Sequence, residues 1–122
     1  MTIKTLLIVD DSVTARLLIK AMFEELHPDW AYLQANNAKE ALSILQNSNV
    51  DYFSIDYNMP GQSGLELIEE IRKQHKEHRA ILLTANIQPQ IVKKAESLNV
   101  LCLHKPLSDE LIQQAEAYFS HE

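Results

Sequence analysis

The sequence predicts an α/β fold, a doubly wound (βα)5 arrangement in which a five-stranded parallel sheet carries helices on both faces. Three observations predict it. Short apolar runs alternate five times with stretches of helical spacing, the pattern of parallel strands joined by crossover helices. The runs are apolar on both faces, as strands covered on both sides must be. The chain has 122 residues, which suits one domain and leaves no room for two. Crossovers of this kind are right-handed as a rule.

The elements follow in order. Leu6, Leu7, Ile8 and Val9 form a β-rich run that stops at Asp10. Ala15, Leu17, Leu18, Ala21, Met22 and Leu26 then recur at helical spacing. Residues 31–35 read as the second strand, closed by Asn36-Asn37. Asn37, with Glu40 three places on, resembles a capping box opening a helix that carries Ala41, Leu42 and Leu45. Residues 50–55 form the third strand and end at Asp56. Asn58-Met59-Pro60-Gly61 is a turn, and Leu65, Leu67, Ile68 and Ile71 mark the third helix. Residues 80–83 are the fourth strand, ending at Thr84. Pro89 suits the first turn of the next helix, where its missing N–H costs nothing, and Ile91, Val92, Ala95 and Leu98 follow. Residues 100–103 form the fifth strand, before His104-Lys105-Pro106. Ser108 is placed to cap the last helix, with Asp109 and Glu110 set against its dipole.

Composition narrows the function. Acidic residues outnumber basic ones 17 to 11, giving a net charge of −6. That argues against nucleic acid or an anionic membrane as the main partner, since both call for a basic face. No apolar run approaches the ~20 residues that cross a bilayer, and the first residues lack a secretory signal. Cys102 is the sole cysteine, so no internal disulfide forms. Together these lead us to expect a cytoplasmic protein. We further expect one domain over residues 1–122, with no linker and no output domain.

In open parallel sheets, ligands bind beyond the carboxyl ends of the strands. The residues at those ends are Asp10-Asp11, Asp56, Thr84 and Lys105. Each alone has an ordinary reading: Asp and Asn favour turns, Thr84 could cap a helix, and Lys-Pro is a common dipeptide. Their coincidence on one edge is the informative feature. Three gathered carboxylates repel one another and raise at least one pKa. A hard divalent cation such as Mg²⁺, which takes oxygen ligands, removes that repulsion. With an ammonium and a hydroxyl it would make a cradle for a transferring phosphoryl group.

Asp10-Asp11, Asp56 with Met59-Pro60-Gly61 and Gly64, Thr84-Ala85 and Lys105-Pro106 together resemble the receiver domains of two-component response regulators. The match in order and rough spacing covers nearly the whole chain. The resemblance implies a flavodoxin-like sheet of order 2-1-3-4-5. It implies that Asp56 is the nucleophile that takes a phosphoryl group from a phosphohistidine. Asp11 and Asp56 would bind Mg²⁺ directly, Asp10 partly through water, and the Asn58 backbone carbonyl would complete the protein ligands. Lys105 and Thr84 would contact the phosphoryl group, as would backbone N–H groups near Asn58 and Ala85. The Lys105–Pro106 bond is similar to one that is cis in the family. The partners implied are a sensor histidine kinase or histidine phosphotransfer protein and a downstream target protein, with a dimer on phosphorylation as a further form. Such a protein is a signalling switch rather than a turnover enzyme, looking like a stand-alone receiver of chemotaxis or phosphorelay systems.

Two positions depart from the family. An aromatic residue often stands three places before the lysine, where this chain has Cys102, read here as a core residue. Gly-Ala often precedes the fifth strand, where this chain has Asn99-Val100; asparagine tolerates the left-handed conformation. Among weaker signals, His75 and His78 read as a solvated helix end, and alternation turns His104 away from the site. Trp30 reads as a cap on the core edge. Lys93 and Lys94 lie on the fourth helix, whose outer face usually meets partners in this family. Asn58 and Asn86 flank the path of a water that would attack the phosphoryl group, and neither is a strong base.

Three other functions are weighed. A haloacid-dehalogenase-like phosphatase needs a second Asp two places after its nucleophile, where Asn58 stands. A flavodoxin-like cofactor module would want phosphate-binding groups in the first loop, where Asp10 and Asp11 stand. A receiver-like interaction scaffold that works without phosphorylation is the alternative to the main reading.

Overall fold

The computed structural model describes residues 3–74 and 78–121. Five strands and five helices alternate: β1 (Thr5–Val9), α1 (Val13–Leu26), β2 (Ala31–Ala35), α2 (Ala38–Asn47), β3 (Tyr52–Asp56), α3 (Gly64–Gln74), β4 (Arg79–Thr84), α4 (Pro89–Ser97), β5 (Leu101–His104) and α5 (Asp109–Ser120). All pairings are parallel and the order is β2-β1-β3-β4-β5. The chain runs outward from β1 to β2, then crosses back to β3 on the other side. The reversal opens a crevice between β1 and β3 at their carboxyl ends.

The period-two alternation of the strands sorts the core into two layers. Leu7, Val9, Phe53, Ile55, Ala80 and Leu82 pack with Ala41 of α2, Leu67, Ile68 and Ile71 of α3, and Ile91 and Ala95 of α4. Leu6, Ile8, Tyr52, Ile81, Leu83 and Leu103 pack with Ile19 and Phe23 of α1 and with Leu111, Ile112, Ala115 and Phe119 of α5. The central strands are buried along nearly their whole length.

Helix starts follow local chemistry. Ser12, Asn37 and Ser108 accept from the backbone N–H groups of Ala15, Glu40 and Leu111. At α2 the Glu40 carboxylate accepts from Asn36 N, one residue ahead of a true capping box. The full reciprocal box is at α3: Ser63 Oγ accepts from Glu66 N at 3.3 Å, and Glu66 Oε1 from Ser63 N at 3.0 Å. Asn99 has φ 60°, the left-handed conformation expected of it.

Three expectations shift. The third strand begins at Tyr52, because Asp51 is used earlier: its Oδ2 accepts from Thr5 N at 2.8 Å and its N–H donates to Thr5 O. The buried line of α1 is Ile19 and Phe23, while Leu17, Leu18 and Leu26 are exposed. His75 lies outside the described residues. His78 is half-buried and meets the Phe53 ring edge-on, so it is not a solvated end.

Candidate functional site

The three aspartates meet where β1 and β3 end. Asp10 follows β1 and is held from four sides. Its N–H donates to Ala35 O at 3.1 Å, its carbonyl accepts from Arg16 Nη1 at 2.6 Å, and its Oδ1 accepts from Ser12 N at 2.9 Å. Its Oδ2 faces Lys105 Nζ at 3.6 Å. Asp56 closes β3, and its Oδ1 lies 2.9 Å from the same ammonium. Asp10 and Asp56 are buried, and Asp11 is exposed at the rim.

Burial is the main reason the Asp56 carboxyl titrates above its usual range. Asp10 and Asp11 push the same way, while the hydrogen bond and charge of Lys105 oppose them. Burial alone would lower the Lys105 ammonium, but Asp56 and Asp10 hold it above its usual value. The site therefore carries three carboxylates against one cation.

These residues fit a divalent cation. Asp10, Asp11 and Asp56 each offer a carboxylate oxygen, all within 4.8 Å of one another. Asp10 Oδ2 is buried and has no hydrogen-bond partner, an arrangement that proteins rarely leave uncompensated. A hard, oxygen-seeking ion is the compensation this donor set suits.

Close packing fixes Asp56. A Cβ added at Gly64 would lie 2.3 Å from the Asp56 carbonyl oxygen and 2.9 Å from Leu82 Cδ1, so only glycine lets α3 start this near β3. Gly64 N donates to Tyr57 O and Tyr57 N to Leu83 O, tying the loop that carries Asn58 to both neighbours. Gly61 turns that loop at φ 81°.

The β4–α4 loop behaves differently. Thr84 is buried, but its hydroxyl is turned back on its own loop, accepting from Asn86 N at 3.2 Å and facing Asn86 O at 3.3 Å. Lys105 N donates to Thr84 O at 2.9 Å, and the His104 ring lies 2.9 Å from Ala85 O. His104 is thus exposed and outside the acid pocket, as alternation predicts, yet it holds the loop that bears Ala85. The Lys105–Pro106 bond is cis. Cys102 is half-buried against the α2–α4 layer, and burial pushes its thiol up, consistent with a core role.

Three further residues shape the site. Ser63 and Glu66, which start α3 beside the site, carry the legible S-x-x-E signature. Arg16, which clasps the Asp10 carbonyl, carries none. Among the described residues, no helix is long and apolar enough to cross a membrane.

A family model of the response regulator receiver domain matches residues 6–116. The chain is 30% identical over 113 residues to chemotaxis protein CheY of Pseudomonas aeruginosa, covering 89% of this chain and 90% of that one. It is 32% identical over 81 residues to the cyclic di-GMP phosphodiesterase response regulator RpfG of Xanthomonas campestris, a match spanning 65% of this chain but 21% of that protein. Among solved structures, the response regulator TrrA of Thermotoga maritima in complex with Mg(2+)-BeF aligns with a TM-score of 0.82 at 32% identity, covering 95% of this chain and 99% of that one.

Proposed function

Because the chain belongs to the response regulator receiver domain family, we propose that Asp56 accepts a phosphoryl group from a phosphohistidine donor in a Mg²⁺-dependent reaction. The donor is a sensor histidine kinase or histidine phosphotransfer protein, and the outcome is altered binding of a downstream target in the cytoplasm. Residues 1–122 act as one receiver domain, and a dimer on phosphorylation is a further consequence to test. The observation that carries this reading is the buried Asp56 carboxylate, set 2.9 Å from Lys105 and beside Asp10 Oδ2, which is buried without a hydrogen bond and has only the longer ion pair to Lys105 at 3.6 Å.

In the reaction an Asp56 carboxylate oxygen forms a bond to phosphorus as the P–N bond of the donor imidazole breaks. Mg²⁺, when bound, supplies neutralisation of the carboxylate and phosphoryl charge. Asp10, Asp11, Asp56 and the Asn58 carbonyl would hold it. Lys105 passes from its pairing with Asp56 to a phosphoryl oxygen. The Thr84 hydroxyl leaves Asn86 for another, drawing its loop along, and N–H groups near Asn58 and Ala85 take the remaining oxygens. Burial of Asp56 limits access of water to the product, and Asn58 and Asn86 offer no strong base. Loss is accordingly slow, and the chain acts as a switch rather than a turnover enzyme.

The test is incubation with Mg²⁺ and a small phosphodonor, followed by mass spectrometry. A labile gain of about 80 Da, absent in Asp56→Asn, is expected. No gain in the wild-type chain rejects the reading and leaves the phosphorylation-independent scaffold.

A further inference from the structure

Arg16 sits on α1, outside the acid pocket, yet its guanidinium reaches three groups. Nη1 donates to Asp10 O at 2.6 Å and to Asn36 Oδ1 at 3.3 Å, and Nε donates to Gln34 Oε1 at 3.1 Å. Gln34 belongs to β2 and Asn36 to the loop after it, whose N–H is fixed by Glu40. The β1–β2 ladder ends with Val9 opposite Ala35 and the Asp10 N–H bond to Ala35 O. The Asp10 carbonyl therefore lies past the ladder, where the sheet no longer orients it. That carbonyl belongs to the peptide joining Asp10 to Asp11, so its direction sets where the Asp11 carboxylate starts.

We propose that Arg16 is a positioning residue for the divalent-cation site, clamping the Asp10–Asp11 peptide to β2 and so fixing the spacing of the Asp10, Asp11 and Asp56 carboxylates. The inference rests on the proposed function, since it concerns the affinity for the cation used there. Charge and geometry oppose each other here, which makes the role testable. By charge alone, a guanidinium beside the acid cluster repels a cation, and its removal tightens binding. As a clamp, its removal loosens the ligand set. Outer groups that orient metal ligands typically change affinity by about 10- to 100-fold when removed. Their planar, multi-donor geometry is what a lysine reproduces only in part.

The experiment is Mg²⁺ titration by calorimetry on the wild-type chain, Arg16→Gln and Arg16→Lys, with circular dichroism to confirm folding. Arg16→Gln is expected to bind Mg²⁺ about tenfold more weakly, with Arg16→Lys in between. The phosphorylation rate of Arg16→Gln from a small phosphodonor should recover at saturating Mg²⁺. Equal or tighter binding in a folded Arg16→Gln overturns the clamp, as does a rate deficit that saturating Mg²⁺ leaves in place. Should Arg16→Gln fail to fold, the double variant Gln34→Leu, Asn36→Ala removes the two side-chain anchors instead. Weaker binding there upholds the clamp and unchanged binding overturns it. A wild-type chain that binds no Mg²⁺ overturns the proposed function itself, whereas normal wild-type binding with unaltered variants overturns the clamp alone.

Discussion

The two edges of the sheet are built on opposite terms. At the amino edge, Phe23, Trp30, Tyr52 and Phe119 form a chain of rings 4.8–6.1 Å apart, and His27 stacks on Trp30 at 3.9 Å while pairing with Glu116 at 2.9 Å. Arg72 donates to the carbonyls of Leu98, Asn99 and His78, Arg79 to that of Tyr118, and Tyr118 Oη to Asn99 O. The guanidinium groups there donate to carbonyls, and His27 pairs with Glu116. At the carboxyl edge three carboxylates face one ammonium, and the buried Asp10 Oδ2 makes no hydrogen bond, only a 3.6 Å ion pair with that ammonium. One edge holds the fold together; the other tolerates unfavourable electrostatics that a ligand would relieve.

The contrast can be broken most forcefully at the amino edge. Phe23 is fully buried, so Phe23→Ala should cost about 3–5 kcal/mol in denaturant unfolding, while the molecules that remain folded still take up phosphoryl groups. At the carboxyl edge, Gly64→Ala drives a methyl against the Asp56 backbone. It should cost about 1–3 kcal/mol and, unlike the first variant, slow phosphorylation of folded protein measured by mass gain.

Asp56→Asn sharpens the contrast by reversing the sign. Because the folded pKa of Asp56 lies above its unfolded value near 3.8, the native state binds the extra proton. Its stabilising contribution is complete below that value and lost as pH rises through the folded one. At pH 7 the ionised carboxylate is therefore a burden, and Asp56→Asn should melt higher than wild type. The difference should shrink in acid and also on adding Mg²⁺ to the wild type. A variant melting lower at pH 7 would contradict this account. The smallest effect belongs to Glu116, whose carboxyl is held below its usual range by Ser120 and then His27. That contribution is present above pH 4.5 and lost as pH falls through the folded value. The pair is partly exposed, so Glu116→Gln should cost under about 1 kcal/mol in thermal unfolding at pH 7.

Much of the site was legible because each participant ends a strand, and parallel topology brings strand ends to one edge. The sheet itself was legible for the same reason, its runs being apolar on both faces. The helix face of α1 was not. Leu17, Leu18, Ile19, Met22 and Phe23 make that helix apolar on several sides, so spacing alone could not show that Ile19 and Phe23 turn inward while Leu17 and Leu18 stay exposed. Strand β3 started late because Asp51 spends its side chain on the Thr5 backbone, an exchange between distant residues. Arg16 escaped notice because its target is a backbone carbonyl, which every residue possesses and no motif records. The direction of the Thr84 hydroxyl depends on a rotamer, which sequence does not encode.

That rotamer has a thermodynamic consequence for the proposed switch. The Thr84 hydroxyl already has partners in Asn86, so turning toward a phosphoryl group exchanges one set of hydrogen bonds for another of similar number. Such an exchange is close to isoenergetic in bond count. The bias between the two arrangements then falls to the anionic charge that arrives, since a ligand shifts an equilibrium only by its differential interaction with the two states. On the proposed function, phosphorylation would then need to supply only the differential interaction that favours the turned hydroxyl over the arrangement seen here.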